Sequence, residues 1–199
     1  MARLTILMKT PTPFKRRTLL QALAAVPVAA IAWRAFGAPP RTMKDIEALQ
    51  TNWKAHLAEG VPIPAATEPL KLSKDEWRKR LDPQAYNVLR DEGTERSGTS
   101  PLDREKREGV FACAGCGLPL FTSAMKFDSG TGWPSFFTTI PGAFGTSRDF
   151  KLILPRTEYH CSRCGGHHGH LFDDGPPPTG QRYCNNGIAL KFIPKSGKA

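Results

Sequence analysis

A chain of 199 residues has room for one domain of ordinary size plus extensions, and 40% hydrophobic with 23% charged residues excludes a disordered or fibrous protein. The formal charge of +10 invites an acidic partner such as nucleic acid, but the excess is localised. The first 37 residues hold Arg3, Lys9, Lys15, Arg16, Arg17 and Arg34 and no acidic residue, which leaves 22 Lys+Arg against 18 Asp+Glu, a net of +4, in the remainder.

In that leader a basic stretch precedes an apolar run, Leu19 to Trp33, and the small residues Ala35, Gly37 and Ala38 follow. This is the layout of an export signal, with cleavage expected after Gly37. The apolar run is broken by Gln21 and Pro27 and falls short of the roughly 20 residues that span a bilayer, so no stable membrane anchor is expected. Arg16-Arg17 before Thr18-Leu19-Leu20 resembles a twin-arginine signal, whose route carries folded proteins across the bacterial inner membrane. The expected location is the periplasm, and the expected divisions are 1–37 (export signal), 38–69 (helical extension and linker) and 70–195 (main domain).

Ile46, Leu49, Trp53 and Leu57 recur at near-helical spacing and Gly60 stops the pattern, which predicts a helix over Met43–Ala58. "VPIPAATEP" then reads as an extended linker. "SKDEWRKRL" opens a second short helix with Ser73 and Glu76 as a capping box. "DPQAYNVLRDEG" opens a third, with Asp82 at the cap, Pro83 in the first turn and Gly93 at the end. Beyond Gly109, "VFAC", "FKLILP", "TEYHC" and "IALKFIP" are short runs rich in β-branched and aromatic residues, separated by glycine and proline clusters. They predict a small antiparallel β domain on which the helices pack.

"CAGC" and "CSRC" stand 44 residues apart, each followed by glycine. Two such turns converge four thiolates on one zinc ion, and a closed shell makes that zinc structural. The ligands would be Cys113, Cys116, Cys161 and Cys164; two disulfides are the alternative in an oxidising compartment. Export of a folded chain would let zinc bind in the cytosol first. With all four metal positions filled by sulfur, His167 and His170 in "CGGHHGHLF" need other work, and titration near neutrality suits acid catalysis.

The fifth cysteine, Cys184, stands alone in "RYCNN". In an extended strand Arg182, Cys184 and Asn186 share one face. A nearby guanidinium favours thiolate, and the asparagine offers a donor and an acceptor. From these residues alone Cys184 is either a buried structural cysteine or a reactive thiol.

"VFACAGCGLPLF", "KFDSGTGWPSF" and "RTEYHCSRCGGHHGHLFDDGPPPTGQRYCNNGIALKF" together resemble the type B methionine sulfoxide reductases, which reduce methionine R-sulfoxide. The resemblance runs from about "LSKDEW" to "LKFIP" and leaves Ala38–Pro69 outside it. It implies a mainly β fold of two antiparallel sheets, β-tent-like, with one structural zinc per chain opposite the active face and short N-terminal helices before it. It places the nucleophile at Cys184 and the active-site histidines at His167 and His170, with Asn186 beside them; His168 falls where the family is usually apolar. Trp133 matches the ring that shields the substrate methyl, Phe136 in the same motif is expected at the substrate, and Arg182 with Asp174 resembles a supporting charge pair.

A sulfoxide sulfur accepts attack only if its oxygen is protonated as it departs, so a thiolate must stand on one side and a proton donor on the other. Cys184 would become a sulfenic acid. Many members of the family resolve it with a second cysteine before Gly-Trp-Pro-Ser-Phe, where this chain has Thr131. The expected partners are therefore oxidised methionine in proteins and an external thioredoxin-like or small-thiol reductant, with no nucleic acid and a monomeric chain. The competing readings are a zinc-ribbon nucleic-acid module, with Phe121, Phe136 and Phe137 as aromatics, and a thiol–disulfide exchanger with a metal-free Cys-x-x-Cys.

Overall fold

The computed structural model describes residue 40 and residues 42–64, 68–150 and 155–195. The expected export signal lies outside these residues, as do parts of the linker and most of "FKLILP". Among the described residues no helix is long and apolar enough to cross a membrane.

The first expected helix divides. Helix α1 covers Met43–Thr51, capped by a reciprocal Thr42–Asp45 box, and Asn52 then leaves helical geometry so that Trp53–His56 winds as a tighter turn. The extension is docked, with Ile46 buried and Gln50 Nε2 donating to Thr138 Oγ1 at 2.8 Å, and at the start of the main domain Leu70 N donates to Arg163 O at 2.8 Å. Helix α2, Lys74–Arg80, starts on the expected Ser73–Glu76 box. Helix α3, Pro83–Asp91, starts on Asp82, whose Oδ1 accepts from Gln84 N and Ala85 N at 3.0 and 2.9 Å. Its end differs from expectation. The left-handed residue is Glu92 (φ 56°), and Gly93 is glycine for another reason: a Cβ there would strike the Asn87 side chain.

Among the described residues nine strands form two antiparallel sheets. The smaller has the order β2–β1–β9, from β1 (Gly109–Cys113), β2 (Pro119–Thr122) and β9 (Leu190–Pro194). The larger has the order β3–β4–β8–β7–β6–β5. Its strands are β3 (Lys126–Phe127), β4 (Ser135–Phe136), β5 (Phe144–Asp149), β6 (Arg156–Cys161), β7 (His167–Phe172) and β8 (Arg182–Asn185). The mainly β, two-sheet architecture with short leading helices is thus as expected. Of "FKLILP", the described ends, Phe150 and Pro155, lie in no strand, and β5 is the preceding run instead.

The sheets are joined by aromatic rings. Phe136 of the larger sheet stacks on Phe121 at 3.9 Å between centroids and meets Phe111 edge-on at 5.1 Å. Tyr159 and Met125 fill the space around them. Each ring withdrawn from water contributes on the order of 2–3 kcal/mol, and because strand neighbours alternate faces, turning Phe136 and the partly buried Tyr183 toward the core puts Ser135 and Cys184 on the opposite face of the sheet.

Candidate active site

The four paired cysteines come together first. Their sulfurs all lie within 4.8 Å of one another and are buried. Cys113 and Cys164 are 3.7 Å apart and Cys116 and Cys161 3.5 Å. A disulfide requires about 2.05 Å. A tetrahedron of zinc–sulfur bonds near 2.3 Å has edges of about 3.8 Å, so the cluster fits zinc and not two disulfides. The knuckles are built alike: Gly117 N donates to Cys113 O and Gly165 N to Cys161 O, both at 2.8 Å, with the two glycines at φ 77° and 67°. Arg80, Arg90 and Arg163 donate to the knuckle carbonyls of Gly115, Cys164 and Cys116 at 2.7, 2.9 and 2.9 Å. The helices thereby clamp the cluster, which offers no open coordination position and serves as a structural zinc site.

Cys184 lies elsewhere, in the middle of β8 and partly exposed. Register sets its neighbours: Ser135 on β4 and His170 on β7 are directly across from it. Glu158 on β6 stands across from His170, and Ser147 on β5 across from Glu158. Directly opposed residues in antiparallel strands present side chains on the same face, about 5 Å apart at Cβ. The outer face of the sheet therefore carries one polar row, Ser135–Cys184–His170–Glu158–Ser147. Ser135 bonds Ser129 at 2.7 Å, and Ser129 bonds Thr131 at 2.8 Å, so hydroxyls crowd one side of the thiol.

The histidines reach this face through a bulge. His167 and His170, three apart, would point to opposite faces of a regular strand. The register slips between Tyr159 and His160, which face Gly169 and His167, so His168 is the extra residue. The slip turns His167 to the side of His170, with ring centroids 5.5 Å apart, and drives His168 into the core. Gly169 permits it at φ 157°; a Cβ there would fall on the Cys184 carbonyl.

Each histidine on the face of Cys184 has a carboxylate partner that the sequence did not disclose. His167 Nδ1 donates to Glu158 Oε1 at 2.7 Å and His170 Nε2 to Asp149 Oδ2 at 2.8 Å. Asp149 also accepts from Arg156 at 2.6 Å, and Glu158 from Ser147 at 2.6 Å. Burial acts to raise the Glu158 carboxyl, but its bonds from Ser147 and His167 prevail and hold it below the usual range. Burial lowers His170 against the opposing pull of Asp149. The carboxylates fix both tautomers, leaving Nε2 of His167 and Nδ1 of His170 as the free ring atoms; His167 Nε2 is buried with no protein partner. Only tertiary register pairs these residues, so "SRDF" and "RTEYHC" carry no local signal for it.

Arg182 grips Asp174 with two bonds, 2.7 and 2.9 Å, as expected, and lies over the Phe172 ring at 4.3 Å. Burial pushes the Cys184 thiol above its ordinary value; Arg182 and the Thr131 side chain favour thiolate without prevailing. The resting residue is therefore a thiol, where the sequence suggested a thiolate.

Two expected residues are placed differently. Phe136, expected at the substrate, is fully buried against Phe121, because register puts Ser135 and not Phe136 on the face of Cys184. Strand β8 ends at Asn185, so Asn186 does not continue its alternation. Asn186 instead spends its amide on backbone: Oδ1 accepts from Glu95 N at 2.9 Å and Nδ2 donates to His168 O at 3.0 Å. Trp133 is half-buried, its Nε1 donating to Glu95 O at 3.2 Å.

Comparison with known proteins agrees with this geometry. The SelR domain model matches residues 81–194. The chain is 50% identical over 123 residues to the peptide methionine sulfoxide reductase MsrB of Agrobacterium fabrum, covering 61% of this chain and 91% of that one. It is 51% identical over 124 residues to the MsrB of Pseudomonas putida (strain W619), covering 62% and 93%. The chloroplastic peptide methionine sulfoxide reductase B1 of Arabidopsis thaliana is 39% identical over 177 residues, 88% of each chain. That alignment is longer than residues 70–195, so likeness to this relative reaches into the extension. The chain belongs to the SelR domain family, the type B methionine sulfoxide reductases.

Proposed function

We propose that this chain reduces methionine R-sulfoxide in proteins, with Cys184 as nucleophile. The observation that carries the reading is one cysteine, outside the metal cluster, set in a sheet between a hydroxyl cluster and two histidine–carboxylate pairs. Family membership and the printed activity of the relatives support it.

The substrate methyl lies against the Trp133 ring, and its sulfur faces Cys184. The Cys184 sulfur attacks the sulfoxide sulfur while a proton passes to the sulfoxide oxygen. Because the resting residue is a thiol, that proton is its own, relayed by His167 or His170, whose carboxylate partners stabilise the transient imidazolium. The oxygen then passes to the Cys184 sulfur as the old S–O bond breaks. Thiol plus sulfoxide gives sulfenic acid plus thioether, with methionine sulfur reduced and cysteine sulfur oxidised. Arg182, tied to Asp174, supports the developing negative charge on sulfur.

Thr131, in the loop before Trp133, offers no thiol, and the four cluster cysteines are committed to metal. Reset is therefore external: one thiol of a thioredoxin-like protein or a small thiol expels the sulfenic oxygen as water, forming a mixed disulfide, and a second thiol releases Cys184. The leader supports export by the twin-arginine route and repair of oxidised methionine in periplasmic proteins; blocked export of an Arg16-Arg17→Lys-Lys chain checks this, and undiminished export refutes it.

The decisive assay supplies both sulfoxide epimers in equal amount. Consumption should stop at half, with the R epimer gone; complete consumption refutes the stereochemical claim. Non-reducing mass spectrometry after one equivalent of substrate should find oxygen on Cys184 and no intramolecular disulfide.

A further inference from the structure

The segment that follows α3 has no regular structure, yet residues 95–98 bond both the Trp133 loop and the turn that follows Cys184. We infer that Glu95 is the positioning residue that locks the substrate wall and the histidine bulge into one rigid unit. This rests on the reading of Cys184 as nucleophile and Trp133 as wall.

Every polar atom of Glu95 is used. Its carbonyl accepts from Trp133 Nε1 at 3.2 Å. Its N–H donates to Asn186 Oδ1 at 2.9 Å, and Asn186 passes the connection on through Nδ2 to His168 O, the carbonyl of the bulge. Through the two peptide groups that flank it, this one residue links the ring against which the substrate lies to the strand defect that presents His167. The carboxylate holds the residue in place by accepting from Gly187 N and, at 2.9 Å, from Ile188 N, in the turn directly after Cys184 and the asparagines. Gly187 has no alternative, since a Cβ would strike the Ser100 and Glu95 side chains.

The next residues brace the loop before Trp133. Ser97 Oγ donates to Thr131 O at 2.8 Å, and Gly98 N donates to Gly132 O at 2.8 Å. Gly132, at φ 82°, lets Ser97 approach where a Cβ would collide with it. Two segments distant in sequence, the loop 131–133 and the turn 186–188, thereby meet on residues 95–98. The carboxylate of Glu95 is itself half-buried and faces two N–H donors, a pairing that no neutral amide reproduces, because an amide would turn its NH2 toward one of them.

The test uses the mature, zinc-loaded protein with Glu95→Gln and Ser97→Ala, an oxidised-methionine peptide, iodoacetamide as the probe of Cys184, and the indole N–H resonance of Trp133. In Glu95→Gln, KM should rise about tenfold and kcat fall less, while alkylation of Cys184 stays within about twofold of the parent. The Trp133 resonance should move and its exchange with solvent quicken. Unchanged KM in a folded Glu95→Gln protein, or an unmoved Trp133 resonance, overturns the inference. A parallel loss of Cys184 alkylation also overturns it, since it marks general disruption. If Glu95→Gln loses its zinc, Ser97→Ala decides: a KM rise of about two- to threefold with a moved resonance supports the lock, and parental values refute it. Failure of the underlying reading looks different, because full activity after complete alkylation of Cys184 would remove the nucleophile whatever Glu95 does.

Discussion

The chain holds cysteines in two regions that share a residue type and little else. In the knuckles four buried sulfurs stand 3.5–3.7 Å apart in closest pairs, braced by three arginines that bond backbone carbonyls. On β8 a single thiol, partly exposed, has a hydroxyl cluster on one side and a histidine on the other. A cysteine's task is set by the partners register supplies: four convergent thiolates close a metal shell, while one thiol beside proton-carrying groups stays available for attack. The regions are nonetheless continuous. Knuckle 161–166 connects β6 to β7, and the bulge begins on the next residue, so the metal end fixes where the histidine end starts.

The largest expected effect removes one region and spares the other. Cys184→Ser should reduce turnover by on the order of a thousandfold or more while zinc content and melting temperature stay at parental values, measured by product formation and metal analysis. Retained turnover would mean that the two regions are not divided as described.

The converse substitution attacks the scaffold. Cys113→Ser or Cys164→Ser should lose zinc and destabilise the fold by more than about 4 kcal/mol, read from denaturant unfolding, because a structural metal contributes folding energy directly. A stable metal-free variant would erase the contrast.

The smallest effect sharpens the boundary between them. His168, between the knuckle and the site, is fully buried with neither ring nitrogen partnered, and burial lowers it to about 3. The unfolded chain binds this proton near pH 6.5 and the folded chain does not, so stability must fall as pH drops from about 6.5 toward about 3. By pH 4.5 the loss should be about 2–3 kcal/mol. His168→Leu, apolar and of similar bulk, should keep activity and flatten that part of the pH–stability curve, as denaturant midpoints at pH 7 and 4.5 would record. An unaltered slope would place the acid sensitivity elsewhere.

Local chemistry made much of this legible. The Ser73 and Asp82 caps, the matched knuckles and the isolation of Cys184 are written within a few residues of chain, where spacing alone sets geometry. The Asn52 break in the first helix and the left-handed Glu92 carry no such local mark. Strand β7 was hidden for another reason: "HHGHLF" follows no period-2 pattern because the bulge resets its phase.

The order of residues was enough for the chemistry: four thiols spaced for zinc, one left over, histidines and an arginine near it, and the motifs of a sulfoxide reductase. Which atoms meet depended on the folded arrangement. Register across β5, β6 and β7 gave each histidine its carboxylate, a one-residue bulge sorted His167 from His168, burial pushed the Cys184 thiol up, and Phe136 went to the core while Ser135 took the face of the thiol. The physical reason is that side chains alternate every residue along a strand, so a shift of one position exchanges core for solvent, and that shift is fixed by contacts from the far ends of the chain.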